Sequence, residues 1–242
     1  LYGDVFRAGM GEGAKVRGCY RRGAALAKDA GFDGVEVHGA NGYLLDQFLQ
    51  DGTNKRTDTY GGSIENRARL LLEVVDEAIK IWGKGRVGVR LSPYGTFNDM
   101  SDSNPEALFM HVISALSARG IAYVHLIEPR ALPSAQDANL VGVPATARIF
   151  REACKTVLIS AGGYDRADAL SAVQEGRADA VAFGRLFVSN PDLPERLKTN
   201  ADLNAYDRDT FYGGDAKGYT DYPRLGRGSS GRPNLAGELS VV

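Results

Sequence analysis

The chain has 242 residues, with 29 basic and 30 acidic side chains and a formal charge of −1. Its length accommodates one large α/β domain or two small ones, and the balanced charge excludes the basic footprint of a nucleic-acid binder. The two cysteines, Cys19 and Cys154, lie far apart without metal-ligand spacing, and this predicts neither a disulfide framework nor a metal site. No apolar run reaches the roughly 18 residues of a membrane span, and Leu1 to Met10 lack the apolar core of a signal peptide, so a cytoplasmic protein is expected.

From about residue 20, helical and strand patterns alternate. Arg21 to Ala30 reads as a helix with Gly31 at its C-terminal cap, and Asp33 to His38 as a short strand. Ser63 is placed to cap a long helix through Trp82, in which Leu71, Val75, Ile79 and Trp82 recur at helical spacing. Arg86 to Leu91 is the next strand, stopped by Pro93. Pro105 opens a helix through Arg119, with Gly120 beyond it, and Tyr123 to Ile127 is a strand. Helices are then predicted over Pro144 to Lys155, Asp165 to Glu175 and Pro191 to Lys198, and strands over Thr156 to Ser160 and Ala178 to Phe183. The Gly-, Ser- and Arg-rich stretch after Pro223 reads as a flexible tail.

Strands alternating with helices imply parallel strands joined by right-handed crossovers, either in a (β/α)8 barrel or in a doubly wound sheet. Polar residues favour the barrel. His38, Arg90, Glu128, Gly162 and Gly184 each fall at the C-terminal end of a different strand, and no G-x-G-x-x-G follows any strand. Val-rich runs such as Arg86 to Leu91 suit strands covered on both faces. About five strands are legible where a full barrel has eight, so the chain reads as an incomplete barrel.

The densest chemistry is Val35-Glu36-Val37-His38-Gly39-Ala40-Asn41-Gly42-Tyr43-Leu44. An imidazole N–H and an amide NH2 are donors that polarise a carbonyl oxygen, and a phenol supplies a proton. A lone histidine beside a turn is most often structural, but three such residues together at a strand end favour a site. Arg90 interrupts an apolar strand and needs an anionic partner, either a carboxylate such as Glu36 or a bound anionic group. Ser160-Ala161-Gly162-Gly163 and Phe183-Gly184-Arg185 follow the last two strands, where barrels frequently bind phosphate. Glycines there also serve tight turns, and Arg185 adds a phosphate-matched fork. His111 and His125 read as structural. Asp58 to Arg67 reads as a polar loop that shapes and caps, and Phe211 and Tyr212 read as a wall over a pocket or as surface packing.

The run from Gly31 through Leu49 closely resembles the old yellow enzyme family of flavin-dependent ene-reductases. So do Asn54-Lys55-Arg56-Thr57-Asp58, Tyr60-Gly61-Gly62-Ser63-Ile64-Glu65-Asn66-Arg67, Val87 to Pro93, Phe183-Gly184-Arg185, Asn190-Pro191-Asp192-Leu193 and Tyr206 to Tyr212. The resemblance covers about residues 20 to 223. It implies an FMN-containing (β/α)8 barrel in which NADPH or NADH reduces the flavin, and the flavin passes hydride to an α,β-unsaturated carbonyl or nitro compound. His38 and Asn41 match the pair that holds the substrate oxygen, and Tyr43 matches the proton donor. Arg90 matches the arginine beside the flavin ring; Gly162, Gly163, Gly184 and Arg185 match the phosphate cradle; Tyr212 matches an aromatic of the substrate pocket. The family's N-terminal strands have no counterpart in residues 1–19, so the expected organisation is a divergent segment over 1–19, a partial flavin-binding barrel over 20–223 and a tail over 224–242. A non-catalytic remnant of such an enzyme is the alternative. Flavin barrels with iron–sulfur cysteine clusters are disfavoured by the two scattered cysteines.

Overall fold

The computed structural model describes residues 10–129, 145–213 and 215–226. Two compact units are present, Leu1–Ala182 and Phe183–Val242. The first begins with α1 (Met10–Asp29) and continues through β1 (Val35–Gly39), α2 (Leu44–Leu49), α3 (Ile64–Trp82), β2 (Val87–Leu91), α4 (Pro105–Arg119), β3 (Tyr123–Ile127), α5 (Thr146–Phe150), β4 (Val157–Ala161), α6 (Arg166–Gln174) and β5 (Ala180–Ala182). The second contains α7 (Arg185–Ser189) and α8 (Leu193–Thr199).

The five described strands form one parallel sheet in the order β1-β2-β3-β4-β5. Because side chains alternate along a strand, each strand offers one set of residues to each face. Val37, Val89, Val124 and Leu158 share one register row and enter the hydrophobic core with α3 and α4. The opposite face carries the rows Glu36–Gly88–Tyr123–Val157 and His38–Arg90–His125–Ile159–Ala180. The expectation of strands apolar on both faces therefore holds for the helix side alone. The other side is polar, and its residues converge toward the strand C-termini.

Local chemistry sets most boundaries. Ser63 Oγ accepts from Asn66 N–H at 3.3 Å and starts α3, whose Leu71, Val74, Val75, Ala78 and Trp82 are buried at helical spacing. Asn104 accepts from Ala107 N–H at 3.2 Å, Pro105 opens α4, and Gly120 ends it in the left-handed region at φ 66°.

Four elements depart from expectation. α1 begins at Met10 rather than Arg21, so the helix runs across the expected boundary at residue 19. Gly13 and Gly18 lie inside this helix, and a Cβ at Gly13 would lie 3.2 Å from the Tyr60 hydroxyl, so that glycine lets the helix approach closely. α1 is further held by Arg17 on Glu73 (2.6 Å) and by the Trp82 indole N–H on the Ala24 carbonyl (2.9 Å). α5 is five residues long where twelve were expected; residue 144 lies outside the described residues, and 151–153 form a turn. The short helices α2 and α7 were not anticipated. Most of the expected tail, 227–242, lies outside the described residues. No helix among the described residues is long and apolar enough to cross a membrane.

Candidate active site

His38 is the fourth residue of β1 and faces the polar side of the sheet, in register with Arg90 on β2. The chain then leaves the strand through Asn41 (φ 57°) and Gly42 (φ 70°), two consecutive left-handed residues, and enters α2 after Tyr43. Asn41 is a residue type that tolerates this region, and Gly42 is required twice over. A Cβ there would strain the backbone and would also lie 2.6 Å from Asn98 Cβ and 2.7 Å from the Phe97 carbonyl oxygen. This turn brings the Tyr43 ring back toward His38, with ring centroids 5.4 Å apart. Tyr43 is 55% exposed, so its phenol is open to a ligand.

A buried polar network grips the turn from behind. Gly42 N–H donates to Asp46 Oδ2 (2.9 Å), and Asn41 N–H donates to Ser92 Oγ (2.8 Å), whose hydroxyl donates to the same carboxylate oxygen (3.2 Å). Gln50 donates to Asp46 Oδ1 (2.8 Å), Gln47 to the Gly42 carbonyl (2.6 Å) and Asn98 to the Asn41 carbonyl (2.9 Å). Asp46 is fully buried. Burial pushes its titration up to about 6, against the lowering effect of the Gln50, Gly42 and Ser92 donors. None of Asp46, Gln50, Ser92 and Asn98 was singled out from sequence. The available signal was the pair Asp46 and Gln50, four residues apart among Leu44, Leu45, Phe48 and Leu49.

Burial, reinforced by the Arg90 charge, lowers the His38 imidazole below its ordinary value, so it is neutral at pH 7 and keeps an N–H to donate. Arg90 forms no ion pair among the described residues, and its Nε is buried without a partner. The expected alternative, a carboxylate from Glu36, acts on Arg90 through its charge alone, without a direct ion pair among the described residues. Glu36 instead lies 3.0 Å from His125 Nδ1. Glu128, another polar strand-end residue, anchors a helix: its buried carboxylate accepts from Thr146 and Ala147 N–H at the start of α5 and from Ser160 Oγ, at 2.8 to 3.0 Å.

The first unit thus gathers His38, Asn41, Tyr43 and Arg90 at the ends of two adjacent strands. Gly162 and Gly163 follow β4 with φ 121° and 66°, an irregular turn closed to most other residues. Gly184 and Arg185 stand at the start of α7 in the second unit. Tyr212, in the same unit, is 92% exposed and meets Phe211 edge-on at 6.4 Å.

Comparison with known proteins identifies the family. Residues 14–204 match the NADH:flavin oxidoreductase / NADH oxidase family. The chain is 50% identical over 207 residues to 12-oxophytodienoate reductase 2 of Arabidopsis thaliana, covering 85% of this chain and 54% of that protein. It is 49% identical over 209 residues to 12-oxophytodienoate reductase 1 of Oryza sativa subsp. japonica, covering 85% and 54%. Among solved structures, morphinone reductase in complex with tetrahydroNAD superposes with a TM-score of 0.82 at 46% identity, over 90% of this chain and 57% of that one. The old yellow enzyme homologue from Zymomonas mobilis gives 0.82 at 38% identity, over 89% and 60%. The chain spans just over half the length of the relatives it matches. Its five-stranded sheet is the corresponding arc of their barrel, and the chain belongs to the NADH:flavin oxidoreductase / NADH oxidase family, the old yellow enzymes.

Proposed function

We propose that this chain carries the substrate-binding and protonating half of an FMN-dependent ene-reductase, acting on small α,β-unsaturated carbonyl or nitro compounds with NADPH or NADH as reductant in the cytoplasm. The observation that carries this reading is the His38–Asn41–Tyr43 turn beside Arg90, whose buried Nε has no partner among the described residues.

The residues present fit the flavin. A guanidinium with an orphaned buried donor at a strand end suits an electron-rich ring edge, and left-handed Gly162 and Gly163 leave backbone open to a phosphate. Arg90 would hold the ring edge, and Gly162 and Gly163 the phosphate. When bound, the flavin supplies the hydride equivalent.

The remaining steps belong to the protein. The neutral imidazole N–H of His38 and the amide NH2 of Asn41 donate to the substrate oxygen and stabilise the negative charge that grows there. The Tyr43 phenol, open to ligand on the same side as His38, delivers the proton to the α-carbon.

The test is an anaerobic two-step experiment on the 242-residue chain. FMN binding is followed by flavin fluorescence, and reduction by NADPH and reoxidation by cyclohexenone are then timed separately. Tyr43→Phe is expected to slow reoxidation on the order of 100-fold or more, the usual weight of a general acid, and to leave flavin reduction within about twofold. Equal loss in both steps would remove Tyr43 as the proton donor. A wild-type chain that binds no FMN would favour the reading as a non-catalytic remnant.

A further inference from the structure

Asn41 is placed to grip a substrate oxygen, yet its side-chain amide makes no hydrogen bond among the described residues. No protein partner aims that amide. Its direction follows from the two peptide planes that flank the Asn41 Cα. The residue sits in the left-handed region at φ 57°, which a side chain other than glycine keeps when its surroundings over-determine it.

Both planes are pinned at both ends. The Ala40–Asn41 peptide accepts from Tyr43 N–H at its carbonyl (3.3 Å) and donates from its N–H to Ser92 Oγ (2.8 Å). The Asn41–Gly42 peptide accepts from Asn98 Nδ2 at its carbonyl (2.9 Å) and donates from Gly42 N–H to Asp46 Oδ2 (2.9 Å). Each residue has two soft backbone dihedrals, so fixing both planes fixes the direction in which the side chain leaves.

The four pins differ in where they come from. Tyr43 and Asp46 belong to the turn and to α2. Ser92 and Asn98 come from the segment after β2, the strand that carries Arg90. Ser92 stands two residues beyond Arg90 and is fully buried, whereas Asn98 is half-buried. The polarity of the Ser92 contacts is fixed as well. A backbone N–H only donates, so Ser92 Oγ accepts from Asn41, and its single proton goes to Asp46 Oδ2 at 3.2 Å. One carboxylate oxygen thus pins one plane directly and orients the hydroxyl that pins the other.

We propose that Ser92 is a positioning residue that acts through Asn41. Its hydroxyl ties the Ala40–Asn41 peptide to the β2 segment and so sets where the Asn41 amide stands relative to Arg90. The consequence for ligand binding rests on the proposed function; the hold on the backbone does not.

Amide hydrogen exchange of the full chain without flavin, at about pH 7.5, tests the hold. This pH lies above the Asp46 titration at about 6, so the carboxylate is ionised. Ser92→Ala is expected to speed exchange at Asn41 about five- to tenfold, the weight of one hydrogen bond. Ser117→Ala on α4 is the control. That hydroxyl likewise accepts from a backbone N–H, of Lys155, and donates to a carbonyl, of Ala153. It is expected to cost comparable stability in urea and to leave Asn41 protected. Exchange at Asn41 that Ser92→Ala leaves unchanged, or that Ser117→Ala speeds equally, would overturn the proposal.

With FMN bound, phenol is the probe of the oxygen grip. Ser92→Ala is expected to weaken phenol binding about tenfold and to leave FMN affinity within about twofold. Asn41→Gly removes the amide and accepts the left-handed backbone, and adding Ser92→Ala to it is expected to weaken phenol no further. Phenol affinity that Ser92→Ala leaves unchanged, or lowers by the same factor in the Asn41→Gly background, would refute the positioning role. A wild-type chain without FMN affinity would refute the proposed function, and the exchange result would still decide the hold on Asn41.

Discussion

Replacing Asp46 with asparagine is expected to change how stability depends on pH. The carboxylate is fully buried behind the Asn41–Gly42 turn, and its titration is pushed up to about 6 from the ordinary 3.8. A shift of about two units corresponds to about 3 kcal/mol between the protonation states. The folded value is raised, so the folded chain holds the proton more tightly than the unfolded one. Protonated Asp46 contributes its full stability below the unfolded value near 4. That contribution is lost as pH rises through about 6, and above it the cost of the buried charge is complete. Asparagine does not titrate and nearly preserves shape. Its oxygen accepts from Gly42 N–H and Ser92 Oγ–H, and Gln50 turns its amide to meet the new NH2. Urea unfolding of both chains, followed by circular dichroism from pH 4 to pH 8, isolates this contribution as a difference. Relative to wild type, Asp46→Asn is expected to gain about 2 to 3 kcal/mol over that range, with most of the change between about pH 4 and pH 6 and a plateau above. A difference that stays flat, or that favours wild type as pH rises, would refute the reasoning by showing that the donors keep Asp46 ionised throughout.

Gly88→Ala is expected to displace the Tyr123 ring from Glu36, at a cost of about 1–3 kcal/mol in urea unfolding. Burial and the neighbouring carboxylate push the Tyr123 phenol up to about 12, so tyrosinate absorbance should show one group titrating lower in this variant. Gly42→Ala and Gly62→Ala both place a side chain at positive φ, but a Cβ at Gly62 meets open space while one at Gly42 meets Asn98 and the Phe97 carbonyl. Gly62→Ala should cost about 1 kcal/mol and Gly42→Ala at least about twice that, and equal costs would show that the turn yields freely.

Elements whose ends are set by their own residues were legible in the sequence. α4 lies where Asn104, Pro105 and Gly120 place it, and β3 spans the expected Tyr123 to Ile127. The first half of α1, before Arg21, was not, because packing on Tyr60 and Glu73 outweighs the low helix propensity of its glycines, and those partners lie more than forty residues away. α2 has six residues, too few for a periodic signal. The site divides in the same way. His38, Asn41 and Tyr43 are contiguous, so their grouping is visible in the chain itself. The partnership of Glu36 with His125 spans 89 residues and depends on a register that places Gly88 between them. No local pattern in the sequence encodes it.

The single tryptophan has a consequence of its own. Trp82 ends α3 with its indole N–H on the Ala24 carbonyl of α1 and the Lys28 ammonium 5.9 Å from its ring centroid. It lies on the helix side of the sheet, in the seam between α1 and α3. Its emission is thus a built-in gauge of whether the first helix is seated, so detachment of that helix can be followed by light alone, at micromolar concentration and without a label.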